Sequence, residues 1–226
     1  MAHRQLKKEA LRLLRLEDLK AALDALNRYP ARRIVNPLFG LLYHRDPLIR
    51  WHAVSAMGEV VSRLADRQIE SARIIMRRFM WNLNDESGGI GWGSPESMGE
   101  IMARHRRLAD EFGCILVSYA DPCGNYLEHP ILQRGVLWAW GRLGRKRPGI
   151  LQSAAGLLRP YLASDDPHLQ GLAAWTAAPL RSKDLEPHLK ALASSAFAID
   201  LYIDDALQTK TVGQLSREAL EGGDPP

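Results

Sequence analysis

The sequence has few cysteines, no long apolar run and no strong excess of either charge. Its two cysteines, Cys114 and Cys123, exclude a disulfide-rich fold, and their separation fits no C-x-x-C metal or redox motif. No apolar stretch approaches the ~20 residues of a membrane span, and no apolar segment of a signal peptide follows the basic N-terminus. The formal charge of +4 is too small to indicate nucleic-acid binding by itself. We therefore expect a cytoplasmic protein with one cysteine in the core and one in a loop.

Three segments share a pattern in which a proline follows a polar residue and apolar or small residues recur every three or four positions. The prolines are Pro47, Pro130 and Pro167, and the last two stand 37 residues apart. Proline fits the first turn of a helix, where its missing N–H costs nothing. The aligned positions that follow are Ile49, Leu132 and Leu169; Ala53, Val136 and Ala173; and Val60, Leu143 and Leu180. The spacing predicts one packed helix face in each segment.

This pattern resembles the second helix of HEAT repeats, whose two-helix unit has ~40 residues. Among these repeats it is most similar to the bacterial HEAT-like group named after phycobilisome lyases. The resemblance implies an all-α superhelix, a HEAT-like α-solenoid of about five antiparallel helix pairs. We expect residues 1–221 to form a single solenoid domain and residues 222–226 to form a disordered tail. Because solenoids host many functions, the resemblance implies little about activity.

The segment from Trp81 to Ile101 departs from the repeat and contains five glycines. It predicts a Gly-rich loop inserted in the middle of the solenoid, followed by a helix from about Pro95 to Tyr119. The glycine spacing matches neither a P-loop nor a dinucleotide fingerprint, and no strand precedes it, so no cofactor is predicted. Two interpretations remain for this loop: a rigid connection whose Trp92 packs on the solenoid, or a binding site for a partner.

Several acidic residues lie in or near this loop. A hard-cation or acid–base cluster would draw on Asp85, Glu86, Glu96, Glu100, Asp121, Glu128 and His129. No ligand spacing supports such a cluster, and helix capping explains most of these residues. We therefore predict no metal site.

Tryptophans and arginines supply the remaining candidates for a functional surface. Trp138 and Trp175 occupy equivalent repeat positions, so their rings are expected to lie close together, either as packing between repeats or as an aromatic wall on the concave face. Trp140 points the opposite way from Trp138, which predicts that at least one of the two lies at a surface or in a groove. Three basic clusters are read as solvated helix faces or as a phosphate-binding track: Arg73, Arg77 and Arg78; Arg104, Arg106 and Arg107; and Arg142, Arg145, Lys146 and Arg147.

Two functional hypotheses follow from these features. The favoured one is a non-enzymatic protein–protein interaction scaffold that uses the concave face and the loop 84–100, with an unidentified protein partner and no membrane association. Its candidate binding residues are Asp85, Glu86, Gly91, Trp92, Glu96, Glu128, Arg134, Trp138 and Trp175. The alternative is a DNA-binding or DNA-repair protein resembling the HEAT-like alkylpurine DNA glycosylases. That resemblance implies catalytic roles for Trp81, Asp85 and Arg134.

Overall fold

The computed structural model describes residues 3–84 and 91–222. Over these residues the chain forms helices and one β-hairpin. The helices are α1 (His3–Leu14), α2 (Leu19–Leu26), α3 (Ala31–Leu41), α4 (Pro47–Arg67), α5 (Ile69–Leu83), α6 (Ser94–Arg104), α7 (Arg106–Ser118), α8 (Pro130–Lys146), α9 (Pro148–Leu151), α10 (Arg159–Leu162), α11 (Pro167–Ala177), α12 (Glu186–Leu192) and α13 (Val212–Glu221). The strands are β1 (Ala198–Ile203) and β2 (Ala206–Thr211), and 3₁₀ turns occur at Gln152–Leu158, Ala178–Leu180 and Lys183–Leu185. No helix within the described ranges is both long and apolar enough to cross a membrane.

The three aligned prolines each begin a helix, as the repeat predicted. The residue before each proline caps its helix by accepting a hydrogen bond from a backbone N–H in the first turn. The side chain of Asp46 accepts from Leu48 N at 3.0 Å, and that of Asp166 accepts from His168 N at 2.9 Å. His129 caps α8 in the same way, through its Nδ1 atom. Local sequence therefore determines where α4, α8 and α11 start.

The helices form two layers. The inner layer consists of α4, α6, α8, α11 and α13, each in contact with the next, while α3, α5, α7, α10 and α12 pack beside them. Small residues allow the inner helices to approach closely: a Cβ atom added at Gly99 on α6 would lie 2.5 Å from the Cβ of Ala139 on α8. This arrangement confirms the predicted helical solenoid. We call the side of the layer that carries Trp51, Trp138 and Trp175 the inner-layer face.

Two local predictions were wrong. The helix expected from about Pro95 to Tyr119 is broken at His105, which has φ −126° and ψ 108° and caps α7 by accepting from Leu108 N at 3.2 Å. The expectation that one cysteine lies in the core was also wrong, because Cys114 and Cys123 are both exposed. The side-chain cap explains the break, because it satisfies a backbone donor that a continuous helix would bond internally.

The C-terminal part also contains the β-hairpin, which the repeat pattern did not predict. Its strands pair antiparallel, with Ile203 opposite Ala206 across a two-residue turn. Both turn residues, Asp204 and Asp205, have positive φ, at 49° and 62°. This conformation matches the tight turns whose twist suits a hairpin, although glycine or asparagine is more usual there. The hairpin makes the fold mostly helical rather than purely helical.

Candidate functional site

An aromatic cluster occupies the centre of the inner-layer face. The rings of Trp138 and Trp175 stack with centroids 6.2 Å apart, which confirms that these two repeat positions lie together. Trp51 packs against Trp138 at 4.6 Å, and Tyr202 of β1 covers both. The indole N–H of Trp138 donates to the backbone carbonyl of Tyr202 at 2.9 Å. The hairpin is therefore part of this face.

Neither Trp138 nor Trp140 lies at the outer surface, but Trp138 lines a cavity. Trp140 is fully buried on the opposite side of α8, where its indole N–H donates to the carbonyl of Leu116 at 3.1 Å. Trp138 is only 3% exposed because the hairpin covers it. Helix periodicity correctly places the two rings on opposite sides, but both sides of α8 are buried.

A chain of ion pairs runs across the inner helices beside the aromatic cluster. The buried carboxylate of Glu100 pairs with Arg104 at 2.6 Å and with Arg142 at 2.5 Å, and Arg104 also reaches Glu59 at 2.8 Å. Burial alone raises the pKa of Glu100, but the bonds to Arg142 and Arg104 outweigh it and the pKa is lowered overall. These bonds connect α4, α6 and α8.

One cavity, which we call the arginine cavity, lies beside these ion pairs. It has a volume of about 260 Å³, and its charged lining residues are Glu100, Arg104, Arg142, Arg145, Lys146, Asp204 and Asp205. The guanidinium of Arg145 lies 3.9 Å above the Trp175 ring and donates to the carbonyls of Gly141 and Trp175. Burial lowers the pKa of Arg145 to about 10. Trp138 and Trp175 form the aromatic side of the arginine cavity.

Another cavity, the Trp92 cavity, lies where the Gly-rich segment joins α6. Its volume is about 190 Å³, and it is lined by Leu42, Arg50, Trp51, Val54, Trp92, Gly93, Glu96, Ile131 and Leu132. Gly91 and Gly93 have positive φ, at 63° and 73°, which only glycine adopts without cost. A Cβ atom at Gly93 would also lie 3.0 Å from the side chain of Leu42. The two glycines thus allow Trp92 to reach this position.

Glu96 gives the Trp92 cavity its most unusual chemistry. Its carboxyl group rests against the backbone of α8, where a Cβ atom at Gly135 would lie 2.6 Å from Oε1. The other oxygen, Oε2, is buried and has no hydrogen-bond partner, and the indole N–H of Trp92 is also buried without one. Burial raises the pKa of Glu96 to about 7, and the nearby charge of Arg50 opposes this effect.

The remaining sequence candidates are scattered. Asp85 and Glu86 lie outside the described residues. Glu128 is exposed just before α8, and Arg134 pairs with Asp166 at 2.8 Å. Trp81 is 75% exposed near the end of α5. The structure thus does not bring the proposed catalytic residues Trp81 and Arg134 into a described site, and their catalytic role stays a prediction.

The acidic and basic clusters also separate. Asp121 accepts from Cys123 N in a turn, and His129 caps α8. In the part of the chain that is described, no three His, Cys, Asp or Glu side chains are grouped so that they could hold a metal ion. On α5, Arg73 and Arg77 pair with Glu70, whereas Arg104, Arg142 and Arg145 share the arginine cavity. The three basic clusters therefore do not form one continuous surface, although residues from two of them meet in the arginine cavity.

Arg50, Trp51 and Tyr202 line these cavities but were not among the candidates predicted from the sequence. Trp51 occupies the same repeat position as Arg134, four residues after the aligned proline, and Arg134 was among the predicted binding residues. The repeat alignment could therefore have identified Trp51. No such signal identifies Tyr202, because its neighbours depend on how the C-terminal hairpin packs. Trp51 lines the Trp92 cavity, and Tyr202 lines the arginine cavity.

Comparison with known proteins supports the fold but gives no activity. No family model matches the sequence. One segment is 33% identical over 84 residues to an uncharacterized protein of Archaeoglobus fulgidus, covering 37% of this chain and 43% of that protein. The match thus spans less than half of that relative.

Solved structures of repeat proteins resemble almost the whole chain. The designed armadillo repeat protein YIII(Dq.V1)4CPAF, solved in complex with the peptide (KR)4, has a TM-score of 0.53 at 16% identity, covering 96% of this chain and 98% of that one. The designed armadillo repeat protein YIII(Dq)4CqI gives 0.52 at 17% identity, with 96% and 99% covered. At these identities the likeness shows the fold alone, a solenoid of the armadillo and HEAT-like type.

Proposed function

We propose that this solenoid is a non-enzymatic scaffold that binds a segment of a protein partner through the inner-layer face and the Gly-rich segment 84–100. The observation that carries the proposal is the Trp92 cavity, an aromatic and aliphatic depression at the end of that segment. Pockets of mainly apolar lining with a few polar groups are the usual form of a binding site. We further propose that residues 1–221 act as one domain.

Exposed apolar side chains around the Trp92 cavity suit a peptide. Tyr43, which stacks on Trp92 with ring centroids 6.5 Å apart, is 45% exposed, and Ile131 is 44% exposed. Such apolar side chains around a concave site resemble the anchor regions of protein interfaces. The similar designed armadillo protein YIII(Dq.V1)4CPAF binds a peptide, which supports a peptide partner by analogy of fold.

The nucleic-acid alternative has less support. The arginines of the arginine cavity already bond to protein groups: Arg104 and Arg142 pair with Glu100, and Arg145 bonds to backbone carbonyls. Phosphate binding would have to displace these partners or compete with Asp204 and Asp205 beside them. A protein partner is therefore the better supported proposal.

Affinity capture with paired surface variants tests the scaffold. The test variant is Ile131→Glu, at an exposed position on the cavity wall, and the control is Ile74→Glu, which is 59% exposed on α5 and does not line the cavity. We expect the wild type and Ile74→Glu to recover the same partner from cell extract and Ile131→Glu to lose it. Equal recovery by folded Ile131→Glu protein would overturn the proposal.

A further inference from the structure

We propose that the Trp92 cavity receives a lysine side chain of the partner, with its ammonium group directed at the Glu96 carboxylate. This inference rests on the proposed scaffold function and adds the chemistry of the residue that docks. It follows from the charge of Glu96, from the side chains that line the cavity and from the burial of the Glu96 carboxyl group against α8.

Glu96 is an acid that lacks a cationic partner in this fold. Among the described residues, no Lys, Arg or His nitrogen lies within the 4.0 Å of an ion pair from its carboxyl group, and Oε2 has no hydrogen-bond donor. The next acid on α6, Glu100, has two arginine partners. Burying a charged carboxylate without such compensation is costly, and a bound cation would supply it.

The walls of the cavity fit the stem and the charge of lysine. The aromatic residues Trp51 and Trp92 line it, and a cation is attracted to the face of a tryptophan ring. Aliphatic side chains complete the lining and suit the four methylene groups of lysine. These are Leu42, Val54, Ile131 and Leu132. The volume of about 190 Å³ suits one side chain rather than a larger ligand.

The seating of the Glu96 carboxyl group favours lysine over arginine. Its Oε2 atom is buried, and the group lies against the backbone at Gly135. A guanidinium binds a carboxylate best through two parallel hydrogen bonds, which require both oxygens to be accessible. An ammonium group is a compact donor that can bond to a single oxygen.

Arg50 opposes this occupant and thereby makes the inference testable. It lines the same cavity, and its Nη1 donates to the carbonyl of His44 at 3.4 Å. Its positive charge weakens binding of any second cation. From α8, the nearby Arg134 is neutralised by Asp166, and on α6 Glu100 is neutralised by Arg104 and Arg142. Glu96 and Arg50 are therefore the two charges that decide what enters.

The experiment titrates the full chain with Nα-acetyl-lysine methylamide and with the norleucine analogue, which has the same stem without the ammonium. Binding is followed by NMR through the Trp92 indole N–H and the Gly93 amide. We expect the lysine probe to bind about tenfold more tightly than the norleucine probe, a preference of roughly 1.4 kcal/mol. Glu96→Gln should abolish the preference, and Arg50→Gln should strengthen lysine binding.

Each other outcome overturns the inference. Equal affinity for the two probes, or no binding of either, shows that the cavity does not recognise an ammonium group. Weaker lysine binding by Arg50→Gln shows instead that Arg50 holds the ligand, as it would for an anion. These outcomes are independent of partner capture. If Ile131→Glu loses the partner but the wild type shows no preference for the lysine probe, the scaffold proposal stands and only the lysine proposal fails.

Discussion

The ring of Tyr202 on β1 lies almost parallel to the ring of Trp51 on α4, with centroids 4.9 Å apart and ring planes 7° from parallel. The Tyr202 hydroxyl also lies 3.1 Å from the hydroxyl of Ser55, 147 residues away in the chain. Burial raises the pKa of this hydroxyl above its ordinary value, so it stays protonated and available for the hydrogen bond at neutral pH. One side chain thus joins the C-terminal hairpin to the N-terminal half of the solenoid.

Removing this side chain should destabilise the protein strongly. Tyr202→Ala empties a buried aromatic position, so we expect a loss of about 3–5 kcal/mol in the free energy of unfolding. Tyr202→Phe keeps the ring stack and loses only the bond to Ser55, a cost of about 1 kcal/mol. Urea denaturation followed by circular dichroism measures both values. Leu207→Ala, at a 38% exposed position on β2, is the control and should change stability little. A loss of similar size in all three variants would contradict the role of the stack.

The ion pairs of Glu100 should be costly to break. Glu100→Gln leaves the half-buried Arg142 and Arg104 without their shared carboxylate. Because Arg104 keeps its pair with Glu59, we expect a loss of about 1.5–3 kcal/mol, the cost of a hydrogen bond to a charged group. Because the pKa of Glu100 is lowered in the folded state, its contribution is present above the ordinary pKa of a glutamate and is lost as pH falls through the folded value. The matched control is Glu111→Gln, whose pair with Arg73 is more exposed and should matter much less. Urea unfolding at neutral pH tests this order, and an equal loss in the two variants would refute it.

Glu96 should make the protein less stable as pH rises, which is opposite to the effect of Glu100. The Glu96 pKa of about 7 in the folded protein lies above the ordinary value of 4.5, so folding favours the protonated form. The stabilisation is complete below the ordinary value and is lost as pH rises through about 7. We expect Glu96→Gln to gain stability relative to the wild type between pH 4.5 and pH 8, by about 3 kcal/mol. Urea unfolding of both proteins at the two pH values gives this difference directly. A difference that is independent of pH would mean that the carboxyl group is solvated.

The positive φ at Gly93 should make this glycine irreplaceable. Gly93→Ala must adopt a left-handed conformation and also meets Leu42 at 3.0 Å, so we expect a loss of about 1–3 kcal/mol. It should also move Trp92, which intrinsic fluorescence would report. Gly149→Ala is the control, because no atom lies within 4 Å of the added Cβ and the residue is in a helical turn. That variant should be neutral or slightly stabilised. Equal effects of the two substitutions would argue against backbone strain at Gly93.

The sequence was sufficient to predict features that depend on neighbouring residues. The starts of α4, α8 and α11 followed from a capping side chain before a proline, and the closeness of Trp138 and Trp175 followed from their equal repeat positions. The hairpin did not follow, because its contacts with Trp51 and Ser55 are set by packing between distant parts of the chain. The break at His105 was missed because a histidine is a less common helix cap than Asp or Ser.

The candidate site shows the same division. Trp92 and Glu96 were singled out by their place in the Gly-rich segment, which is a local property. The cavity that they share with Arg50 and Trp51 could not be predicted from the sequence, because it depends on α4 and α6 lying side by side. The burial of Glu96 against α8 likewise requires a glycine at position 135, whose importance is visible only when the two helices are packed.

The hairpin changes how the solenoid gains its stability along the chain. In a simple repeat array each unit contacts only its neighbours, so terminal units fray independently and folding spreads from any starting point. Here Trp51 is covered only after residue 202 has been synthesised and the hairpin has closed a very long loop, which is slow and entropically costly. The two ends of the chain should therefore unfold together, as one cooperative unit. Nascent chains that stop before the hairpin should expose a tryptophan surface that requires protection from aggregation.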